Sequence, residues 1–237
     1  IDELPPGRSA VRTRLIAEGR RAEVLQRIRA ACAEGQQAYW VCPVIEESRE
    51  GDLRTAIDTH ASLSGELREL RVGLLHGRLA ADEKAAVMSA FARGEIDLLV
   101  ATTVIEVGVD VPNASLMVIE HAERFGLAQL HQLRGRIGRG ARASECILLF
   151  GEKLGENARA RLKAIYETSD GFKLAELDLA LRGEGDLLGE RQSGEAMLRF
   201  ADLSRDRDLV AEAQAAAHAL IEEDPAAARR HVARWLG

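Results

Sequence analysis

The chain has 237 residues, 46% hydrophobic and 30% charged, a globular balance that excludes a disordered tail, and no apolar run approaches the roughly 18 residues of a membrane span. Its formal net charge of −6 argues against a general nucleic-acid binder, since such domains are basic, and leaves only a local basic patch to hold a strand. Three cysteines without a C-x-x-C spacing point away from a disulfide framework or metal site, and 4% aromatics are too few for a base-stacking platform.

The chain opens on Ile1 rather than Met, with no signal-peptide pattern after it, as expected of a piece of a longer chain. Residues 1–19 read as a linker, because Pro5-Pro6-Gly7 breaks regular structure and no apolar period follows. Val24, Leu25, Ile28 and Cys32 recur at helical spacing and predict a helix that stops near Gly35. Ala38 to Cys42 is a short apolar run closed by Pro43, a buried strand. A helix over about 53–70 follows, then a strand over Val72–Leu75 ending at His76-Gly77. Val87, Met88 and Phe91 share one helical face. Strands are expected over 96–101, 116–119 and 146–150, with a helix over 127–138 between the last two. Continuous apolar strands alternating with helices predict a parallel sheet covered on both faces.

Past Gly151 no further strand is expected. The rest reads as helical, with a glycine-rich break at 183–194 and a helix start at Asp224-Pro225, an acidic cap followed by proline in the first turn. The division is a linker over 1–19, a sheet domain over 20–151 and a helical extension over 152–237. The cysteines, Cys32, Cys42 and Cys146, read as small buried hydrophobes of a reducing cytoplasm.

Ligands of parallel sheets bind where the strands end, and two loops there carry chemistry. The first runs from Thr102 to Pro112. Its threonine hydroxyls and free backbone amides suit phosphate, Gly108 permits a close backbone approach, and Asp110 suits a ribose hydroxyl. The second leads into Gln129–Gly140. On a helix, Leu130, Leu133 and Ile137 share a face that must be buried, while Gln132, Arg136 and Arg139 share the opposite one. Two arginines pointing one way, with no acidic residue within four positions of either in the sequence, suit a triphosphate, whose oxygens the guanidinium fork matches. Gly135 and Gly138 each cost about 1 kcal/mol in a helix relative to alanine, which suggests a close approach of backbone or ligand. Arg124, Arg134, Arg136, Arg139 and Arg142 together form the candidate basic patch. No G-x-x-x-x-G-K-[ST] phosphate cradle occurs, and Asp82-Glu83-Lys84-Ala85 does not fit a metal-binding acidic segment. The arginines must therefore serve a site whose other wall lies on another domain.

The Thr102–Asp110 loop resembles helicase motif V, and Gln132–Arg139 resembles motif VI, Q-x-x-G-R-x-G-R, of superfamily-two helicases. Ile1–Arg8 resembles the segment between the two motor lobes of RecG-type helicases. Tyr39–Ser48 is similar to their motif IV, and Ala122–Gln132 to the RecG form of its segment. Asp170-Gly171-Phe172, Asp178-Leu179, Arg182-Gly183 and Arg191–Gly194 resemble the translocation motif shared with the transcription-repair coupling translocase, with Glu184 and Asp186 where that motif has proline and glutamate. The resemblance implies the second RecA-like lobe of an ATP-dependent double-stranded-DNA translocase, with 1–19 as the interlobe linker and 152–237 as the translocation motif and C-terminal extension. It implies ATP with Mg2+, the metal held by a first lobe upstream, and branched DNA such as forks and Holliday junctions as partner. A wedge domain upstream and a cytoplasmic, nucleoid-associated location are also implied. Under it Gln132, Arg136 and Arg139 are catalytic, and Gly108 and Asp110 join the arginines on ATP. Thr102, Thr103, His76, Gly77 and Arg78 meet the DNA backbone, and Arg182, Arg191 and Gln192 couple hydrolysis to movement. The transcription-repair coupling motor and a non-catalytic helicase-like binding module are the alternatives.

Overall fold

A computed structural model describes residues 11–43, 49–102, 111–140, 142–182 and 209–236. Six parallel strands form one sheet in the order β1-β6-β5-β2-β4-β3: β1 (Val11–Ala17), β2 (Gln37–Val41), β3 (Val72–Leu75), β4 (Leu98–Ala101), β5 (Ala114–Ile119) and β6 (Ser144–Phe150). Side chains alternate across the pleat, so each strand feeds both faces. Ala38, Trp40, Leu98, Val100, Leu116, Val118, Ile147 and Leu149 pack under α1 (Arg21–Ala33) and α2 (Arg49–Glu66). Tyr39, Val41, Leu99, Ala101, Met117, Ile119, Cys146 and Leu148 pack under α3 (Ala81–Ala92), α4 (Leu127–Arg134) and α5 (Glu156–Glu167). The central strands β2, β4 and β5 are buried along their length, which is why they read as unbroken apolar runs. Each large aliphatic side chain so enclosed contributes about 1.5–3 kcal/mol of transfer free energy.

The linker expectation fails over residues 11–17. These form β1, paired in register with β6 from Val11↔Ser144 to Ala17↔Phe150. The strand lies at the sheet's edge and is only partly buried, so arginines are tolerated in it and obscure the apolar pattern. Arg14 forms an ion pair with Glu145 of β6, and Arg27 of α1 reaches the same carboxylate at 3.3 Å.

α6 (Gly171–Arg182) follows α5 after a short connection and buries Leu174 in the core under the second face. Arg182 ends this helix. A second compact unit, 182–237, contains α7 (Val210–Glu223) and α8 (Pro225–Leu236). The expected cap of α8 is present: one Asp224 carboxylate oxygen accepts the amides of Ala226 at 3.1 Å and Ala227 at 2.9 Å. No helix among the described residues is long and apolar enough to cross a membrane.

Candidate functional site

Of the sequence-predicted nucleotide and DNA residues, those among the described residues fall at two edges of the sheet. The carboxyl edge holds the turn after β3. There Gly77 and Arg78 are exposed and His76 is half-buried. Lys84 of α3 donates to the Gly77 carbonyl at 2.7 Å. The His76 Nδ1 is buried without a hydrogen-bond partner. Burial, and secondarily the charge of Lys84, push its pKa down, so the imidazole is neutral at neutral pH.

Thr102 departs from expectation. It is only 4% exposed, and its amide donates to the Leu75 carbonyl at 3.2 Å. That bond stitches the end of β4 to the end of β3, so Thr102 offers neither a free amide nor an open side chain. Thr103, Gly108 and Asp110 lie outside the described residues, as do Arg191 and Gln192.

The end of β5 is anchored by Glu120, whose carboxylate accepts Trp40 Nε1 at 3.0 Å and the Thr59 hydroxyl at 3.4 Å. His121 then takes a left-handed conformation, φ 48°, and the chain turns through Ala122–Arg124 into α4. Arg161 of α5 donates to the Glu123 carbonyl at 2.9 Å, and the Glu123 carboxylate accepts the Gly151 amide at 3.3 Å. The turn is thereby pinned to α5 and to the end of β6.

The helix expected over 127–138 is shorter. α4 ends at Arg134, Gly135 is its cap, and Gly138 adopts φ +79°, a conformation incompatible with a continuing helix. Gln132 stays on the helix and is exposed. Arg136 and Arg139 sit in the loop after it and are half-buried. The single helical face drawn through the three residues is therefore replaced by a helix end and a loop. The buried side is as expected, with Leu130, Leu133 and Ile137 at 0%, 2% and 2% exposure.

The loop also lies elsewhere than at the carboxyl edge. α4 starts after the end of β5 and leads back toward the start of β6. A Cβ on Gly140 would sit 2.4 Å from the Pro112 carbonyl oxygen, and Pro112 precedes β5. Arg142 donates to the Glu34 carbonyl, just ahead of β2, at 2.8 Å. The arginine loop thus meets the end of the Thr102–Pro112 segment at the sheet's amino edge, in an approach that only glycine permits.

The basic patch is dispersed. Arg124 is exposed by the turn after β5, Arg142 is tied down at the amino edge, and Arg134 is 5% exposed. Arg134 faces no phosphate-accessible surface. Its Nη1 donates to the carbonyls of Ile165 at 2.8 Å and Thr168 at 3.0 Å, and to the Thr13 hydroxyl at 3.3 Å. Its Nη2 lies 3.1 Å from His131 Nδ1. Burial, then Arg134's charge, lower the His131 pKa, so a neutral ring accepts that bond. Sequence reasoning missed this role, although Arg134 falls seven residues after Leu127 and four after Leu130, on the buried side of α4.

Comparison with known proteins agrees with this architecture. The helicase conserved C-terminal domain model matches residues 20–141, and the model for ATP-dependent DNA helicase RecG, domain 3, C-terminal, matches residues 168–234. The chain is 54% identical to the ATP-dependent DNA helicase RecG of Acidithiobacillus ferridurans, over 100% of this chain and 35% of the relative. Against that of Escherichia coli strain K12 it is 53% identical, over 100% and 34%. A structure of RecG bound to a three-way DNA junction superposes with TM-score 0.67 at 48% identity, covering 88% of this chain and 26% of that one. The chain therefore spans about a third of the length of these relatives. With its parallel sheet, its arginine loop and its tail, the chain belongs to the helicase conserved C-terminal domain family, in the RecG branch.

Proposed function

We propose that the chain is the second motor lobe of an ATP-driven double-stranded-DNA translocase that remodels branched DNA. In this reading it supplies half of an ATPase site. The observation that carries the reading is the seating of the arginine loop on Pro112. It brings the end of the segment that resembles motif VI against Pro112, two residues past the segment that resembles motif V, at the edge of the sheet opposite the exposed His76–Arg78 turn.

Arg136 and Arg139 would stabilise charge on the phosphoryl group in flight, as arginine fingers do. Gln132 would position the nucleotide or the attacking water, and Gly108 and Asp110 would complete the wall. Mg2+ would be held by the neighbouring lobe, with the nucleotide phosphates completing its shell. Thr103, His76, Gly77 and Arg78 would hold the DNA backbone without reading sequence, with Thr102 shaping that edge from inside. Arg182, Arg191 and Gln192 would couple the lobe's movement to DNA. The match of residues 168–234 to the RecG model favours forks and Holliday junctions over the transcription-repair coupling role.

ATP hydrolysis tests the half-site directly. The isolated chain should fold and hydrolyse no ATP, with or without DNA, while the full-length protein hydrolyses ATP and loses that activity on Arg139→Ala. Turnover by the isolated chain would overturn the reading.

A further inference from the structure

Arg134 presents a physical puzzle. A guanidinium is costly to bury without a carboxylate, and an apolar side chain could fill such a place at less cost. Arg134 is nonetheless 5% exposed, and its contacts are neutral acceptors on three separate elements. Thr13 belongs to β1, His131 to α4 itself, and Ile165 to the last turn of α5, while Thr168 follows α5 directly. The last carbonyls of a helix lack intrahelical partners and carry its negative dipole end. Arg134 supplies both the donors and the charge that this end of α5 calls for.

The connection that Arg134 grips leads at once into α6. Asp170 accepts the amides of Phe172 at 2.9 Å and Lys173 at 3.4 Å and so caps α6. Gly171, the first residue of that helix, abuts the far side of the His131 ring: a Cβ there would lie 3.1 Å from Nε2. Two side chains of α4 thus touch both halves of the α5–α6 connection. On the other side, Arg134 is two residues from Arg136 in the loop proposed to meet ATP.

We propose that Arg134, acting with His131, is a positioning residue that transmits displacement of the arginine loop to the start of α6. The inference rests on the functional reading above. A shift of the loop carries the end of α4 with it. The fork then pulls on the Ile165 and Thr168 carbonyls while His131 bears on Gly171, so α6 follows. A residue that only filled space would hold one position; Arg134 holds three elements in fixed relation.

The test uses full-length protein, with DNA-stimulated ATP hydrolysis and unwinding of a synthetic three-way junction measured on one preparation. Lysine at 134 keeps the charge but lacks the planar fork that reaches His131 and the carbonyls together. Arg134→Lys should keep ATP hydrolysis within about threefold of wild type and lower unwinding about tenfold, inside the range of coupling between sites. Gly171→Ala, at an exposed helix start, should lower unwinding per ATP about threefold by crowding His131; it decides the matter if Arg134→Lys does not fold. Wild-type unwinding per ATP in the deciding variant, or loss of both activities in equal proportion, overturns the proposal. Absence of ATP hydrolysis in the wild-type protein would instead sink the underlying functional reading.

Discussion

Arg134 and Arg136 are two residues apart, yet they occupy opposite kinds of surroundings. Arg134 closes α4 and turns inward, where its donors meet carbonyls, a hydroxyl and an imidazole. Arg136 and Arg139 follow the Gly135 cap and lie half-buried in a loop at the amino edge. The same side chain chemistry serves cohesion in one place and, as proposed, ligand charge in the other. What separates them is backbone: one glycine ends the helix, and a second, at φ +79°, redirects the chain. A count of arginines along the sequence cannot distinguish the two uses, whereas the register of α4 can.

The largest effect should come from the loop side of this comparison. Arg139→Ala in the full-length protein is expected to lower ATP turnover about 10³-fold or more, with the melting temperature of the 237-residue chain nearly unchanged. Arg136→Ala should be severe as well and Gln132→Ala milder. Near-wild-type turnover in Arg139→Ala would remove the proposed ligand role and leave both arginines structural.

The inward side should answer in stability instead. Arg134→Met fills much of the volume but leaves Ile165, Thr168 and His131 without their donor. Buried polar groups left unsatisfied cost about 1–3 kcal/mol each, less whatever water or a shifted neighbour recovers, so a loss of about 2–4 kcal/mol is expected from denaturant melts of the 237-residue chain. A loss below about 0.5 kcal/mol, typical of surface substitutions, would show that the clamp contributes little. The redirecting glycine gives a third measure. Gly138→Ala forces a Cβ into left-handed backbone and should cost about 1–2 kcal/mol. If it is neutral, the loop has another conformation open to it, and the sharp division between the two arginine settings weakens.

These assignments also show which parts of the molecule were legible beforehand. β2, β4, β5 and β6 read clearly because both of their faces are buried, leaving unbroken apolar runs such as Leu98–Ala101. β1 did not, because an edge strand admits Arg12 and Arg14 between its apolar residues. The buried side of α4 was legible as far as Ile137, yet the helix stops at Arg134. Periodicity registers which side chains are buried and is blind to a glycine that leaves the helix while its apolar neighbour stays inside. Placing Thr102 on an open strand end was reasonable from its hydroxyl. Its enclosure follows from the bond to Leu75, a contact between strands that no local pattern encodes. The clamp of Arg134 on α5 spans 31 residues to Ile165, and only the buried position of Arg134 on α4 could have hinted at it.

The smallest expected effect separates the two helices that meet at residues 168–170. Arg134 caps α5 from another element, whereas Asp170 caps α6 from within its own segment. Asp170→Ala removes the acceptor for the Phe172 and Lys173 amides and should cost about 1 kcal/mol, as loss of a helix cap typically does. Asp170→Ser keeps an acceptor at similar reach and should recover most of it. The backbone at this connection is held as well, since the Asp170 amide donates to the Thr168 hydroxyl at 3.1 Å and the Asp170 carbonyl accepts the Leu174 amide at 3.0 Å. Loss of the cap should therefore fray the first turn of α6 without releasing Leu174 from the core. Combined with Arg134→Met, the two losses should not add. Both substitutions loosen the same short connection, and residues that share a backbone segment show interaction energies of about 0.5 kcal/mol or more. Strict additivity in a double-mutant cycle would mean that the ends of α5 and α6 are secured independently. The start of α6 would then be fixed by Asp170 and Leu174 alone, with no mechanical part for α4.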